Sequence, residues 1–166
     1  MLLEEPLGAT RPFNVIIDQC PEAVARLASA EQTAVIVRAA RELGLRVHVQ
    51  GSSHNRIGTL EGVLSIRLDG MTAVEIDTDT QVVRVEAGPR WLDLVPRRPS
   101  LASGPSPEIN IDGCSLEGGL GWQARTRGLQ ANSVIAMEVV TTDGEQLRAD
   151  AENHADLFWA PRGGSW

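Results

Sequence analysis

The chain has 166 residues, enough for one ordinary domain and too few for two large ones. Its hydrophobic fraction of 42% and charged fraction of 22% are those of a soluble globular protein, and no stretch approaches the ~20 apolar residues of a membrane span. A formal charge of −7 speaks against a nucleic-acid footprint, which needs Lys and Arg clustered on one face.

The opening Met1-Leu2-Leu3-Glu4-Glu5 is acidic and lacks a basic segment before an apolar one, so a signal peptide is not expected. Cys20 and Cys114 stand alone and read as reduced thiols of a cytoplasmic protein. His48, His54 and His154 have no metal-ligand spacing, and no metal site is expected.

Residues 1–20 show no period and read as a lead-in. Ala23 to Leu27 is a short strand candidate. Ser29-Ala30-Glu31-Gln32 fits a capping box, with Ser29 as N-cap and Gln32 three residues on. The helix that follows places Val35, Ala39 and Leu43 on one apolar stripe, with Ile36 and Ala40 beside it and Arg38, Arg41 and Glu42 on the wet side. Gly44 ends it in the manner of a C′ glycine. Polar and apolar residues alternate from Leu45 to Gln50, as in a half-buried strand, so residues 23–50 read as a βαβ unit.

Short strands come next: Val63 to Leu68, Thr72 to Ile76 and Gln81 to Glu86. Asp69-Gly70 and the Asp77–Thr80 cluster between them are hairpin signals. Trp91 to Val95 fits one helical turn. Residues 96–108 carry four prolines, a linker-like composition. Beyond them, glycines at 113, 118, 119 and 121 precede a short helical stretch, Trp122 to Arg127. Val134 to Thr141 and Glu145 to Ala149 form a hairpin about Asp143-Gly144.

Two glycine-bearing stretches invite a functional reading. Gln50-Gly51-Ser52-Ser53-His54-Asn55 follows a strand. A small Gly/Ser loop there can aim several backbone N–H groups at one anion, phosphate above all. A histidine at its end adds a nucleophilic imidazole. The bland alternative is a plain turn with His54 at the surface. Gly119-Leu120-Gly121-Trp122-Gln123-Ala124 fits G-x-G-x-x-A, with Glu138 about where a ribose-binding acid falls, but the strand before it is at best Ile109 to Ile111. What these glycines support is close approach of backbone to a flat or phosphorylated ligand. Trp91 and Trp159 read as packing residues. No G-x-S-x-G elbow occurs, and the chain has no tyrosine.

Taken in order, these pieces resemble one family. It comprises the FAD-linked oxidases with a p-cresol methylhydroxylase-type FAD-binding domain, including berberine-bridge and hexose-oxidase-like enzymes. The 50–55 segment is similar to the family's phosphate loop. Val85-Glu86-Ala87-Gly88 with Trp91, Gly113 to Gly121 with Trp122, Glu138 to Gly144, and Asp156-Leu157-Phe158-Trp159-Ala160 before Arg162-Gly163-Gly164 follow in register. The resemblance implies an α+β fold of two FAD-binding subdomains. The first spans 21–95, and 96–108 links it to the second at 109–166, which is incomplete. It implies FAD as cofactor, held by Gln50, Gly51, Ser52, Ser53, His54 and Asn55 on the pyrophosphate side, with His54 where many members bond the flavin. Gly113, Gly118, Gly119, Gly121, Val139 and Val140 would line the flavin and adenine ends. Some members add a cysteine bond to flavin; Ser106 aligns there, so none is expected.

The departures are specific. Gln50 stands for a usual Arg, Ser52-Ser53 for small Gly-type residues, Glu117 for the first of three glycines and Pro161 for Leu. The substrate domain, where the family's catalytic bases largely lie, is not within the chain. The resemblance therefore implies the FAD-binding region of an oxidase of C–H donors such as alcohols or amines, with O₂ as acceptor. The alternatives are a non-catalytic flavin-binding module or remnant, and half of a split enzyme with a partner chain. No catalytic residue is assigned.

Overall fold

The computed structural model describes residues 2–4, 12–14, 16, 19–54, 60–97, 104 and 106–164. Contacts divide the chain into two units, Met1–Met71 with Val140–Gln146, and Thr72–Val139 with Leu147–Trp166.

The first unit is a four-stranded sheet under one helix. Strands β1 (Leu2–Glu4), β2 (Ala23–Arg26), β3 (Arg46–Gln50) and β4 (Val63–Arg67) lie in the order β1-β2-β4-β3. β1 is antiparallel to β2, and β4 runs parallel to both β2 and β3. The lead-in of the sequence reading thus contributes an edge strand. The βαβ unit is also modified: β2 and β3 share a sheet but are not neighbours, because β4 lies between them. Burial explains the choice. Val63, Leu64, Ser65 and Ile66 are all buried, as a central parallel strand requires, whereas most of β3 is exposed and suits an edge. Asp69-Gly70 therefore closes no hairpin with the next strand. The Asp69 carboxylate instead pairs with Arg26 and with Arg67, 3.5 Å away.

Helix α1 (Ala30–Glu42) starts where its cap predicts. Ser29 Oγ accepts from Gln32 N–H at 3.2 Å. The reciprocal bond is shifted by one residue, since Gln32 Oε1 accepts from Ala28 N–H at 3.0 Å. The buried face is also rotated from the expected stripe. Thr33, Ala34, Ile36 and Ala40 are inside, while Val35 and Leu43 are exposed. Two neighbours set this roll. Ile36 and Ala40 pack with Ala25, Leu27, Leu64 and Ile66 of the sheet. On another side Arg38 Nη1 donates to Gly144 O at 2.8 Å, and Gly144 sits so close to Ala34 O that a Cβ would lie 2.9 Å from it. Burying each of Leu27, Ile36, Leu64 and Ile66 stabilises the fold by about 1.5–3 kcal/mol.

The second unit begins with a hairpin, β5 (Val74–Asp77) and β6 (Val82–Val85). Their Val74, Ile76, Val83 and Val85 pack on Trp91, Leu94, Ile111 and Cys114. Trp91 and Leu94 belong to the one-turn α2 (Trp91–Leu94), Ile111 and Cys114 to α3 (Ile111–Leu116). That shared cluster places the hairpin with this unit. Ile111 opens a helix, not a strand. α4 (Ala124–Arg127), a 3₁₀ turn (Gln130–Ser133), the paired β7 (Ala136–Val140) and β8 (Gln146–Asp150), and α5 (Ala155–Trp159) complete the order. Sequence reading missed β1, α3 and α5. Among the described residues, no helix is long and apolar enough to cross a membrane.

Candidate cofactor site

The loop after β3 is built from its polar residues inward. Gln50 is 2% exposed, and its amide is fully engaged. Nε2 donates to Gln19 Oε1 at 2.9 Å and to Ser53 Oγ at 2.6 Å, and Oε1 accepts from Ser65 Oγ at 3.1 Å. Burial of an amide is tolerable only with such partners. Gly51 is exposed, and Ser52, Ser53 and His54 are half-buried. Ser53 takes φ +59°, the left-handed region that residues with a Cβ seldom enter. Phe13 N–H donates to its carbonyl at 3.2 Å.

His54 closes the loop. Its ring stacks on Phe13, centroids 4.3 Å apart and planes 20° from parallel. Nδ1 lies 3.1 Å from Ser52 Oγ, while Nε2 is buried and has no hydrogen-bond partner among the described residues. If Nδ1–H donates to Ser52, the Nε2 lone pair is free for bond formation. If Ser52 donates to Nδ1, the proton sits on Nε2. A neutral, immobilised imidazole is a competent nucleophile in the first arrangement. The structure thus gathers Gln50, Gly51, Ser52, Ser53 and His54 into one cluster. Asn55 lies outside the described residues.

The glycine run of the second unit is held differently. A Cβ at Gly113, inside α3, would meet nothing within 4 Å. Gly118 has φ +93°, and its nearest neighbour to such a Cβ would be Leu129 Cδ1 at 3.9 Å. Gly119, at φ +69°, has no such space: a Cβ would overlap that of Gln130 and come within 3.0 Å of Cys114 O. Its close approach is to the protein itself. Gln130 and Ala131 N–H groups donate to the carbonyls of Gly119 and Gly118 at 2.9 and 3.0 Å. Gly121 O accepts from Ala124 N–H at 3.1 Å, starting α4. Val139 and Val140 are half-buried on β7. The dinucleotide-like spacing has no strand ahead of it, since α3 stands there. Glu138 is bonded to Arg84 at 2.8 and 3.0 Å.

Four residues escaped the sequence reading. Phe13 and Gln19 lie in an aperiodic stretch with no signal. Ser65, a hydroxyl inside an apolar strand, could have been flagged. Asp112 could also have been, as a carboxylate between Ile111 and Gly113. Its Oδ1 is buried without a hydrogen-bond partner among the described residues, and burial raises its pKa from 3.8 to about 6, against the opposing pull of the Gly113 and Asp112 N–H groups. Of the two tryptophans read as packing residues, Trp91 is buried and Trp159 is 75% exposed.

The family described as FAD binding domain matches residues 21–150. Glucooligosaccharide oxidase of Sarocladium strictum is 32% identical over 161 residues, which cover 92% of this chain and 32% of that protein. (R)-6-hydroxynicotine oxidase of Paenarthrobacter nicotinovorans is 30% identical over 151 residues, covering 87% of this chain and 33% of that protein. The crystal structure of 6-hydroxy-D-nicotine oxidase from Arthrobacter nicotinovorans superposes with a TM-score of 0.86 at 28% identity, over 98% of this chain and 38% of the other. A structure of glucooligosaccharide oxidase from Acremonium strictum, whose FAD is described as 6-S-cysteinyl, 8α-N1-histidyl, superposes with a TM-score of 0.84 at 31% identity, over 93% of this chain and 34% of the other. The chain spans about a third of the length of the curated relatives it matches.

Proposed function

The chain belongs to the FAD binding domain family, and on that premise we propose that residues 51–54 hold the FAD pyrophosphate with His54 as a covalent attachment point. The fold is mixed α/β, that of the FAD-binding part of the solved oxidases. Gly113, Gly118, Gly119, Gly121, Val139 and Val140 would line the flavin and adenine ends, and Asn55 would extend the phosphate loop. The observation that carries this reading is the immobilised His54 imidazole at the end of a loop whose Gly51 is exposed and whose shape is set from the sheet. Residues there fit the group: small side chains, open backbone and one imidazole nucleophile.

When bound, FAD supplies hydride acceptance from a C–H donor such as an alcohol or amine, and delivery of the electrons to O₂. The chain's own residues bind and orient it. Ser52 orients the imidazole through Nδ1, Phe13 covers one face of the ring, and the glycines leave room beside the backbone. Two cysteines that are both free support a cytoplasmic setting.

The test is expression with flavin followed by acid precipitation. Yellow fluorescence should stay in the wild-type pellet and vanish in His54→Ala. A colourless wild-type pellet together with flavin bound before acid would leave non-covalent binding only. No flavin before acid would remove the reading. A second reading, a partner chain that completes the substrate side, draws on Trp122 and Trp159, which are 84% and 75% exposed. Turnover that requires a second chain would support it. A flavin-loaded chain that turns over nothing, alone or with such a chain, is a binding module.

A further inference from the structure

We propose that Gln50 is a positioning residue: its buried amide holds the 51–54 loop in ligand-ready shape by fixing Ser53 in the left-handed backbone conformation. The ligand in this inference rests on the FAD reading, but the geometry does not.

Ser53 at φ +59° is the strained point of the loop, and something must hold it there. Two bonds do so. Its hydroxyl accepts from Gln50 Nε2 at 2.6 Å, and its carbonyl accepts from Phe13 N–H at 3.2 Å. Gln50 is itself immobile. Its other amide proton goes to Gln19 at 2.9 Å, its oxygen accepts from Ser65 at 3.1 Å, and Ser65 is fully buried in the central strand. The pairing of β3 with β4 sets this arrangement, with Gln50 opposite Arg67 and His48 opposite Ser65. Turning the amide away would strand several buried polar groups at once, which holds the side chain in place.

The consequence falls on the next residue. His54 follows Ser53 directly, so the backbone angle at Ser53 decides where the imidazole points and whether Nδ1 reaches Ser52. Gln50 therefore governs how the nucleophile is presented without touching it. It also offers no charge to an anion, leaving recognition to backbone N–H groups and serine hydroxyls.

Two variants at residue 53 separate a latch from a merely structural contact. Ser53→Gly removes the hydroxyl and the Cβ together, and glycine takes φ +59° without help. Ser53→Ala removes the hydroxyl but keeps the Cβ, leaving the strain with only the Phe13 N–H bond to hold it. FAD affinity, read by quenching of flavin fluorescence, should be about tenfold weaker in Ser53→Ala than in Ser53→Gly. Amide exchange at residues 51–54 should be faster in Ser53→Ala by a similar factor. Gln50→Ala should weaken affinity at least as much as Ser53→Ala, since it also takes a partner from Gln19 and Ser65, and adding Ser53→Gly to it should restore the part owed to residue 53. Equal affinity and equal exchange in the Ala and Gly variants would overturn the proposal, as would a double variant no better than Gln50→Ala. If the wild type binds no FAD, the FAD reading falls, and the exchange comparison still decides the latch.

Discussion

In the 50–54 loop a serine sits at φ +59° and side chains hold it there; in the 113–121 run glycines sit at φ +93° and +69°, and backbone bonds hold them. The first segment obtains its shape from a buried amide network reaching back to Gln19 and across to Ser65. The second obtains it by lacking a side chain at Gly119, so that the 3₁₀ turn at Gln130–Ser133 can lie against the backbone. A network tolerates changes that keep its donors and acceptors matched. A glycine contact tolerates no added atom where the neighbour is backbone or a Cβ.

The largest expected effect tests the second half of that contrast. Gly119→Ala combines overlap with Gln130 and Cys114 and a Cβ at φ +69°, and should cost about 2–4 kcal/mol in denaturant unfolding. A cost below about 1 kcal/mol would mean that the turn can move aside.

Asp112 sharpens the contrast from the other direction, as a carboxylate beside the glycine run whose Oδ1 is buried with no hydrogen-bond partner among the described residues. Its folded pKa of about 6 lies above the ordinary 3.8, so the folded state binds the proton more tightly. Stability from this group is therefore full below about pH 4 and is lost as pH rises through about 6. At pH 7 the loss is at most about 3 kcal/mol. Asp112→Asn should recover about 1–3 kcal/mol at pH 7 and flatten the dependence of Tm on pH between about 4 and 7. An unchanged slope would show that Oδ1 has found a partner.

The smallest effect distinguishes packing from binding within one run. A Cβ at Gly113 meets nothing, and the residue is helical. Gly113→Ala should therefore stabilise by about 0.5–1 kcal/mol. If the open side faces FAD, affinity should nonetheless drop severalfold in the same fluorescence measurement. A stabilised variant with unaltered affinity would take Gly113 out of the proposed site.

Local chemistry was legible along the chain. The Ser29 cap, the glycine at 44 with φ +68° and the Asp143-Gly144 turn with φ +73° each depend on a few adjacent residues, and each lies where the sequence put it. The family motifs were legible for a similar reason, as short strings of fixed spacing. The burial of Gln50 was not. Its usual counterpart in the resembled motif is a charged residue, and nothing adjacent to it signals that Gln19 and Ser65 will close around it. Trp159 was misread because the sequence shows an aromatic residue and not what covers it. The roll of α1 was misread because Val35, Ala39 and Leu43 make a valid stripe until the turn at Gly144 claims the Ala34 side.

By itself, then, the sequence determined the kind of domain, its cofactor class and the identity of both glycine-bearing segments, since these reside in motifs whose chemistry is carried by neighbouring residues. Only the tertiary structure decided that β4 separates β2 from β3, that Gln130 and Cys114 fill the Cβ side of Gly119, and that Gln50 turns inward to bond Ser53. Those outcomes depend on contacts such as Gly119–Gln130, Gln50–Gln19 and Ala23–Leu64, which are 11, 31 and 41 positions apart, where burial and hydrogen-bond satisfaction choose among arrangements that local propensity leaves equal.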